Sequence, residues 1–409
     1  MSRVLGRKGV GSIGWRLNIE EHWLGFVLDF ASRLQCGELT FEMPGGSRRT
    51  FTGELAGPKA TLQLHRSRTI RRSLTGGALG FAEAYLDKDW DSPDLPRLME
   101  LLARNEVVYE NHYRARAWSR WPARLQHLLR WNSKRGSRRN ILAHYDLGNS
   151  FYETWLDPSM TYSCARFEPE HLSLEAAQNA KYASLAKRIA LQPGQHMLEI
   201  GCGWGGFSEF AARDIGSNVT AITISEQQHA FAAERIQAAG LNDKVEIKLQ
   251  DYRDVDACYD RIVSIEMFEA VGERNWPIYF DKLASSLKPG GVAGLQIITI
   301  ADRYFESYRK GVDFIQRHVF PGGMLPSPQS LCREMDKAGL QQLGELSFGR
   351  DYAMTLAVWY ERFQKAWPTI AALGFDQRFK RLWQYYLAYC EAGFRVGATN
   401  VHQIAVKPA

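Results

Sequence analysis

Gly201, Gly203, Gly205 and Gly206 follow the short apolar run Met197-Leu-Glu-Ile200 and open an Ala-rich segment at residues 207–212. Strand, tight turn and helix is the expected order. Glycine lets a backbone take positive φ and pass close to a bulky ligand, where a side chain would block both, and the amides of the turn and helix start then face that ligand. Two ligand chemistries suit such a loop. A dinucleotide wants G-x-G-x-x-G and an acidic residue about 20 residues on to hold the ribose. Here the pattern is E-x-G-x-G-x-G-G, and the next strand ends Thr220-Ala-Ile-Thr-Ile-Ser225 without a carboxylate.

Such a loop needs a sheet to hold it. Residues 174–189 read as a helix broken at Pro193-Gly194, 219–224 as a second strand, 226–239 as its helix and 245–249 as a third strand. Residues 260–266 read as a fourth strand, 276–287 as a helix, and 292–300 as a fifth strand after Lys288-Pro-Gly-Gly291. Strands alternating with helices make a doubly wound, mostly parallel α/β sheet, in which ligands bind beyond the carboxyl ends of the strands. The glycine loop, residues 223–225, Asp251, residues 266–269 and residues 296–300 fall at those ends. The E-x-G-x-G spacing is common in class I S-adenosylmethionine folds and favours that donor. Residues 301–328 form an insertion carrying Tyr304, Phe305, Tyr308, Phe314 and Phe320, read as an aromatic cap, and residues 355–394 read as aromatic and helical.

The 409 residues allow two or three domains, and 45% apolar with 23% charged residues is globular throughout. No run approaches the roughly 20 apolar residues of a membrane span, and the basic N-terminus lacks a signal-peptide core. Six cysteines without a C-x-x-C pair disfavour disulfides and zinc and suit a reducing cytoplasm. The front is where basic charge collects: residues 1–140 hold 24 Lys and Arg against 14 Asp and Glu. Residues 1–110 read as a small α+β accessory domain, with strands at 37–43 and 60–65, helices at 68–79, 81–86 and 95–105, and a loop at 89–93. Residues 111–140 carry nine basic and no acidic residues, interleaved with Trp118, Trp121 and Trp131. A solvated linker, a nucleic-acid contact and an interfacial lipid contact all fit that composition. Residues 141–409 form the catalytic part.

At Tyr162-Ser-Cys164, Gly201-Cys-Gly-Trp-Gly205, Phe268-Glu-Ala-Val-Gly272 and Phe320-Pro-Gly-Gly323, the chain resembles the cyclopropane-fatty-acyl-phospholipid synthases, which are similar to the mycolic acid cyclopropane synthases. Gly76-Gly-Ala-Leu-Gly-Phe-Ala-Glu-Ala-Tyr85 and Asp89-Trp-Asp91 look like that family's N-terminal lipid-binding domain, and His144-Tyr-Asp146 looks like the opening of its catalytic domain. The resemblance implies transfer of the S-adenosylmethionine methyl to a cis double bond of a phospholipid acyl chain, then proton loss and cyclopropane closure. An alkene has no proton to remove first, so the site must exclude water, align the reactants and stabilise developing cation.

The resemblance also implies a bicarbonate base, cradled by Cys164, Glu269, Gln296, the Ile298 amide and Tyr352. Many members carry His where this chain has Gln296, whose amide still donates a hydrogen bond but cannot become a cation. Cys390 matches another cysteine of the family, in a context that suits packing. For the donor, Tyr162, Ser163, Gly201 and Gly203 match methionine-side positions, Thr223, Ile224 and Gln228 the ribose, and Asp251 and Tyr252 the adenine, with Glu199 and Gly205 also expected to bind the donor. The expected partner is a bilayer with unsaturated acyl chains, reached from the cytoplasmic face of the inner membrane by a peripheral homodimer, with no nucleic acid. Rivals are methyl branching of lipid on the same fold, a small-molecule or nucleic-acid methyltransferase, and a non-catalytic lipid-binding protein.

Overall fold

The structure, a computed structural model, describes residues 32–106 and 147–409 together with Gly25 and Asp29. The basic stretch at 111–140 and His144-Tyr-Asp146 lie outside the described residues. The chain divides into two compact units, Met1–Arg120 and Trp121–Ala409.

In the front unit, alternating apolar residues make strands β1 (Cys36–Glu42) and β3 (Leu55–Leu64), which pair in parallel. Strands β2 (Arg48–Thr52) and β4 (Trp90–Asp91) flank them antiparallel, in the order β2-β1-β3-β4. Leu39, Phe41, Leu62 and Leu64 are buried, and helix α2 (Leu95–Arg104) packs on β1 and β3. The two short helices expected before it are one helix, α1 (Arg68–Leu86), kinked at Gly77, whose φ is +57°. A Cβ at Gly80 would lie 2.1 Å from the Arg72 carbonyl oxygen, so only glycine fits there. The expected loop at 89–93 holds β4, because Asp89 is buried and fixed by Arg68 Nε at 2.7 Å. Trp90 donates from Nε1 to the Phe81 carbonyl at 2.8 Å.

Among the described residues, the second unit begins with short helix α3 (Asn149–Glu153) and helix α4 (Leu174–Arg188). Its sheet then forms from β5 (His196–Ile200), β6 (Asn218–Thr223), β7 (Val245–Leu249), β8 (Tyr259–Ile265) and β9 (Leu287–Ile300), joined by α5 (Gly206–Phe210), α6 (Glu226–Ala238) and α7 (Trp276–Ser285). These five strands pair in parallel. Consecutive residues go to opposite faces: Leu198 and Ile262 join one apolar cluster, Met197 and Val263 the other. Burial on both faces is why β5 and β6 read as apolar runs, whereas edge strand β7 alternates. Lys288-Pro-Gly-Gly291, expected to precede the fifth strand, lies within β9 as an irregularity, where pairing steps from Tyr259–Leu287 to Arg261–Val292.

Beyond β9 come α8 (Asp302–Lys310), α9 (Phe314–His318) and α10 (Pro328–Lys337), then β10 (Leu340–Ser347), the long helices α11 (Gly349–Ala372) and α12 (Gln377–Arg395), and β11 (Thr399–Pro408). β11 enters antiparallel beside β9 and β10 pairs antiparallel outside it, giving the order β10-β11-β9-β8-β5-β6-β7. The chain leaves central β5 first toward β7 and later toward β9. That reversal opens a crevice at the carboxyl ends of β5 and β8.

Candidate active site

The turn after β5 carries the glycines expected to face the donor. Gly201, Gly203 and Gly205 take φ of +81°, +53° and +82°, and a Cβ on Gly201 would stand 2.6 Å from Met267 Cγ. The glycine loop and the segment after β8 therefore touch. Nothing within 4 Å faces the missing Cβ of Gly203, which leaves that backbone open to a ligand. Thr223 ends β6, donates from its hydroxyl to Gln228 Oε1 at 2.9 Å and accepts from the Ser225 amide, with Ile224 half-buried between them. Asp251 is held in a two-pronged ion pair by Arg253, at 2.8 and 2.6 Å. Tyr252 turns its ring edge-on to Tyr279 with centroids 5.5 Å apart. Tyr252 thus leans on the core, with Arg253 over its ring.

Glu199 is buried and accepts a hydrogen bond from Ser208 Oγ in α5, so it braces the loop from inside. Burial pushes its pKa up to about 8, against the lowering effect of Ser208 and Lys181. Folding then favours the protonated form. Its contribution is whole below about pH 4.5, the unfolded value, and is lost as pH rises through about 8, at about 1.4 kcal/mol per pH unit for one proton. Glu199→Gln, which cannot ionise, is expected to flatten the fall in unfolding free energy between pH 5 and 8 in denaturant titrations. An unchanged slope would remove Glu199 as its source.

The segment leading into α4 is threaded past the crevice by its own amides. Phe167 N donates to Asp351 Oδ2 at 3.0 Å and Ala165 N to Thr355 Oγ1 at 3.1 Å, both on α11. Cys164 N donates to Glu266 Oε1 at 2.8 Å. Ser163 accepts at Oγ from Lys181 Nζ at 2.7 Å and at its carbonyl from Gln178 Nε2 at 2.9 Å. Tyr162 and Tyr386 share a hydroxyl hydrogen bond of 2.8 Å.

Glu266, which the sequence reading left as a strand end, is the centre of this network. Beyond Cys164 N, its Oε1 accepts from Gln296 Nε2 at 2.8 Å, and its Oε2 accepts from Tyr352 Oη at 2.6 Å. Its φ of +49° is left-handed, a conformation that costs a non-glycine residue roughly 1–2 kcal/mol. Three residues on, Glu269 accepts from Ile298 N at 2.5 Å through Oε1, while its buried Oε2 has no partner among the described residues. Burial first, and then Glu266, push its pKa up to about 8. Burial also raises Glu266, opposed by Tyr352 and Gln296. Lys181, fully enclosed on α4, is lowered to about 8 by burial and held up chiefly by Glu266.

Of the expected site residues, the structure thus joins Cys164, Gln296 and Tyr352 on one carboxylate and ties Ile298 to Glu269. Cys164 contributes its amide: its thiol donates to the Ala165 carbonyl at 3.1 Å, and burial holds its pKa well above the usual range. Cys390 stands apart on α12, its thiol raised by burial and by Asp313. The missed residues are Glu266 and Lys181.

Aromatic rings close round the network. Tyr162 packs against Tyr152, Trp155 and Trp359 with centroids 5.2 to 5.6 Å apart, and Tyr352 stacks on Phe394 at 4.2 Å. In the 301–328 insertion, Phe305 joins the sheet core, whereas Phe314 meets Tyr385 and Phe320 meets Tyr386 on α12. The insertion's turn is pinned to the site, because Met324 N donates to the Glu269 carbonyl at 2.8 Å.

Residues 132–404 match the mycolic acid cyclopropane synthetase family. The chain belongs to it. A tuberculostearic acid methyltransferase of Mycobacterium tuberculosis is 41% identical over 87% of this chain and 84% of its own length. The cyclopropane-fatty-acyl-phospholipid synthase of Escherichia coli K12 is 36% identical over 82% of this chain and 84% of its own. A mycolic acid cyclopropane synthase structure complexed with SAH and CTAB is 30% identical, with a TM-score of 0.63 over 66% of this chain and 97% of that one. The chain is a class I S-adenosylmethionine-dependent methyltransferase of a family that modifies lipid acyl chains. Among the described residues no helix is long and apolar enough to cross a membrane.

Proposed function

We propose that this enzyme transfers the methyl of S-adenosylmethionine to a cis double bond in a phospholipid acyl chain and then removes a proton from the resulting cation. The observation that carries the reading is the pairing of buried carboxylates, Glu266 and Glu269, with a wall of aromatic rings beside the glycine loop. Developing positive charge on a hydrocarbon finds ring faces and carboxylates there, fixed before the reaction begins.

When bound, S-adenosylmethionine supplies the electrophilic methyl, with Gly201, Gly203, Tyr162 and Ser163 along its methionine side and Thr223 and Gln228 toward the ribose. The alkene π pair forms the new C–C bond as the C–S bond breaks, leaving S-adenosylhomocysteine and a cation on the other alkene carbon. Loss of a methyl proton, its C–H pair closing the ring, gives a cyclopropane, the reaction named for the Escherichia coli relative. The 41% identical relative, a tuberculostearic acid methyltransferase, favours a second outcome in which proton loss leaves a methyl- or methylene-branched chain. Bicarbonate, the base that the resemblance implies, would need donors at Cys164, Gln296 and Tyr352 that are bonded to Glu266.

Arg and Trp of residues 111–131 would hold the enzyme to an anionic bilayer, at about 1 kcal/mol per basic residue near the surface, as a peripheral homodimer on the cytoplasmic side. The test is lipid mass spectrometry of unsaturated phospholipid vesicles incubated with enzyme and methyl-labelled S-adenosylmethionine. A labelled gain of one CH2 that resists double-bond cleavage is the expected cyclopropane; the same gain with an alkene retained assigns branching. No label in lipid, with donor binding intact, overturns the reading.

A further inference from the structure

We infer that Glu266 is the enzyme's built-in base: its carboxylate fills the cradle that the family resemblance gives to bicarbonate, and turnover needs no added anion. The inference rests on the alkene reading above. Donors from three separate parts of the chain, the Cys164 amide, Gln296 and Tyr352, converge on this one carboxylate. That is the geometry of an anion site whose anion is covalently attached.

Two further observations agree. Gln296 is locked in the orientation the arrangement needs, because its Oε1 accepts from Gln403 Nε2 at 3.1 Å, which turns its amide N–H toward Glu266. Both glutamines are fully buried, and the charge of Lys181 favours the ionised carboxylate. Glu266 also holds φ of +49°, which glycine would adopt without strain. Strain of this kind, persisting because its surroundings enforce it, gathers where a side chain has work at a site.

In the step itself the C–H bond of the transferred methyl breaks. Its electron pair closes the ring or forms the new alkene, and the proton passes to Glu266 Oε2, the oxygen that carries the single Tyr352 hydrogen bond. The proton leaves to water with product, so charge balances and nothing is oxidised.

The test compares wild type, Glu266→Gly and Glu266→Gln in buffer freed of carbon dioxide, with and without added bicarbonate. It reads label transfer into unsaturated phospholipid vesicles and, separately, binding of 13C-bicarbonate by NMR. Wild-type turnover should not change with bicarbonate, and no saturable binding should appear. Glu266→Gly, whose backbone fits the positive φ, should lose about 100-fold or more in turnover, gain saturable bicarbonate binding, and recover activity with it. Glu266→Gln keeps the shape and should stay inactive in both buffers, with S-adenosylhomocysteine binding as the check of folding. Stimulation or saturable binding in wild type, or an active Glu266→Gln, would overturn the inference. Bicarbonate binding gained only in Glu266→Gly, with no lipid labelled by any form, would support the filled cradle while removing the alkene reading.

Discussion

Glu269→Gln should lower turnover about 100- to 1,000-fold, the size of effect seen when one preorganised electrostatic contact is removed from an active site. The amide can still accept from Ile298 N through its oxygen, so shape is kept and only ionisation is lost. With its pKa near 8, Glu269 is mostly protonated at pH 7. A sulfonium at the glycine loop, which touches Met267, would favour its ionisation. Donor binding then releases a proton and strengthens between pH 7 and 8.5. In Glu269→Gln that pH dependence should flatten, and S-adenosylmethionine affinity should fall about tenfold, about 1.4 kcal/mol, while neutral S-adenosylhomocysteine binds within about twofold of wild type. Calorimetry with both ligands decides it. An equal loss for the two would mean that Glu269 shapes the site without acting through charge.

The parts of this enzyme that could be read in sequence are those whose information is local. β5 to β8 emerge within about two residues of their expected limits because β5 and β6 are buried apolar runs, β7 alternates apolar with charged residues at the sheet edge, and turn residues bound each strand. β11 was not legible, although it sits beside β9 inside the sheet. His402 and Gln403 interrupt its apolar pattern, and both are explained only by distant partners: His402 by Thr299 and Glu345, Gln403 by Lys181 and Gln296. β10 lies at the sheet edge, and its exposed, polar residues carry little periodic signal. The same limit hid Glu266, whose partners lie 102, 30 and 86 residues away along the chain. Its carboxylate at a strand end was visible; its left-handed backbone and its occupation of the cradle were not. Lys181 carries no signal within the 174–189 helix itself, because its partner Ser163 Oγ lies on a preceding segment.

Tyr352→Phe should move the acidic limb of the turnover pH profile upward by about 1–2 units, since a hydrogen bond to a charged acceptor contributes about 1.5–3 kcal/mol. The sign follows from which form the hydroxyl favours. Tyr352 Oη donates to Glu266 Oε2 at 2.6 Å and so stabilises the carboxylate; after burial, which raises the Glu266 pKa, it is the largest influence and lowers it. Gln296, Lys181 and the Cys164 amide pull in the same direction and remain in the variant. Without the hydroxyl, Glu266 stays protonated to higher pH and cannot take a proton, so turnover on the acidic side of the limb falls about 10- to 100-fold, the size of that shift, and returns as pH rises through the new limb. The ring should hold its place, because it stacks on Phe394 at 4.2 Å and 16° and needs no hydroxyl for that. A packing role alone would lower turnover at every pH and leave the limb where it was. The double variant Tyr352→Phe, Glu266→Gln sharpens the distinction: if Tyr352 acts through Glu266, it should be no slower than Glu266→Gln alone, since residues sharing one hydrogen-bond network do not contribute additively.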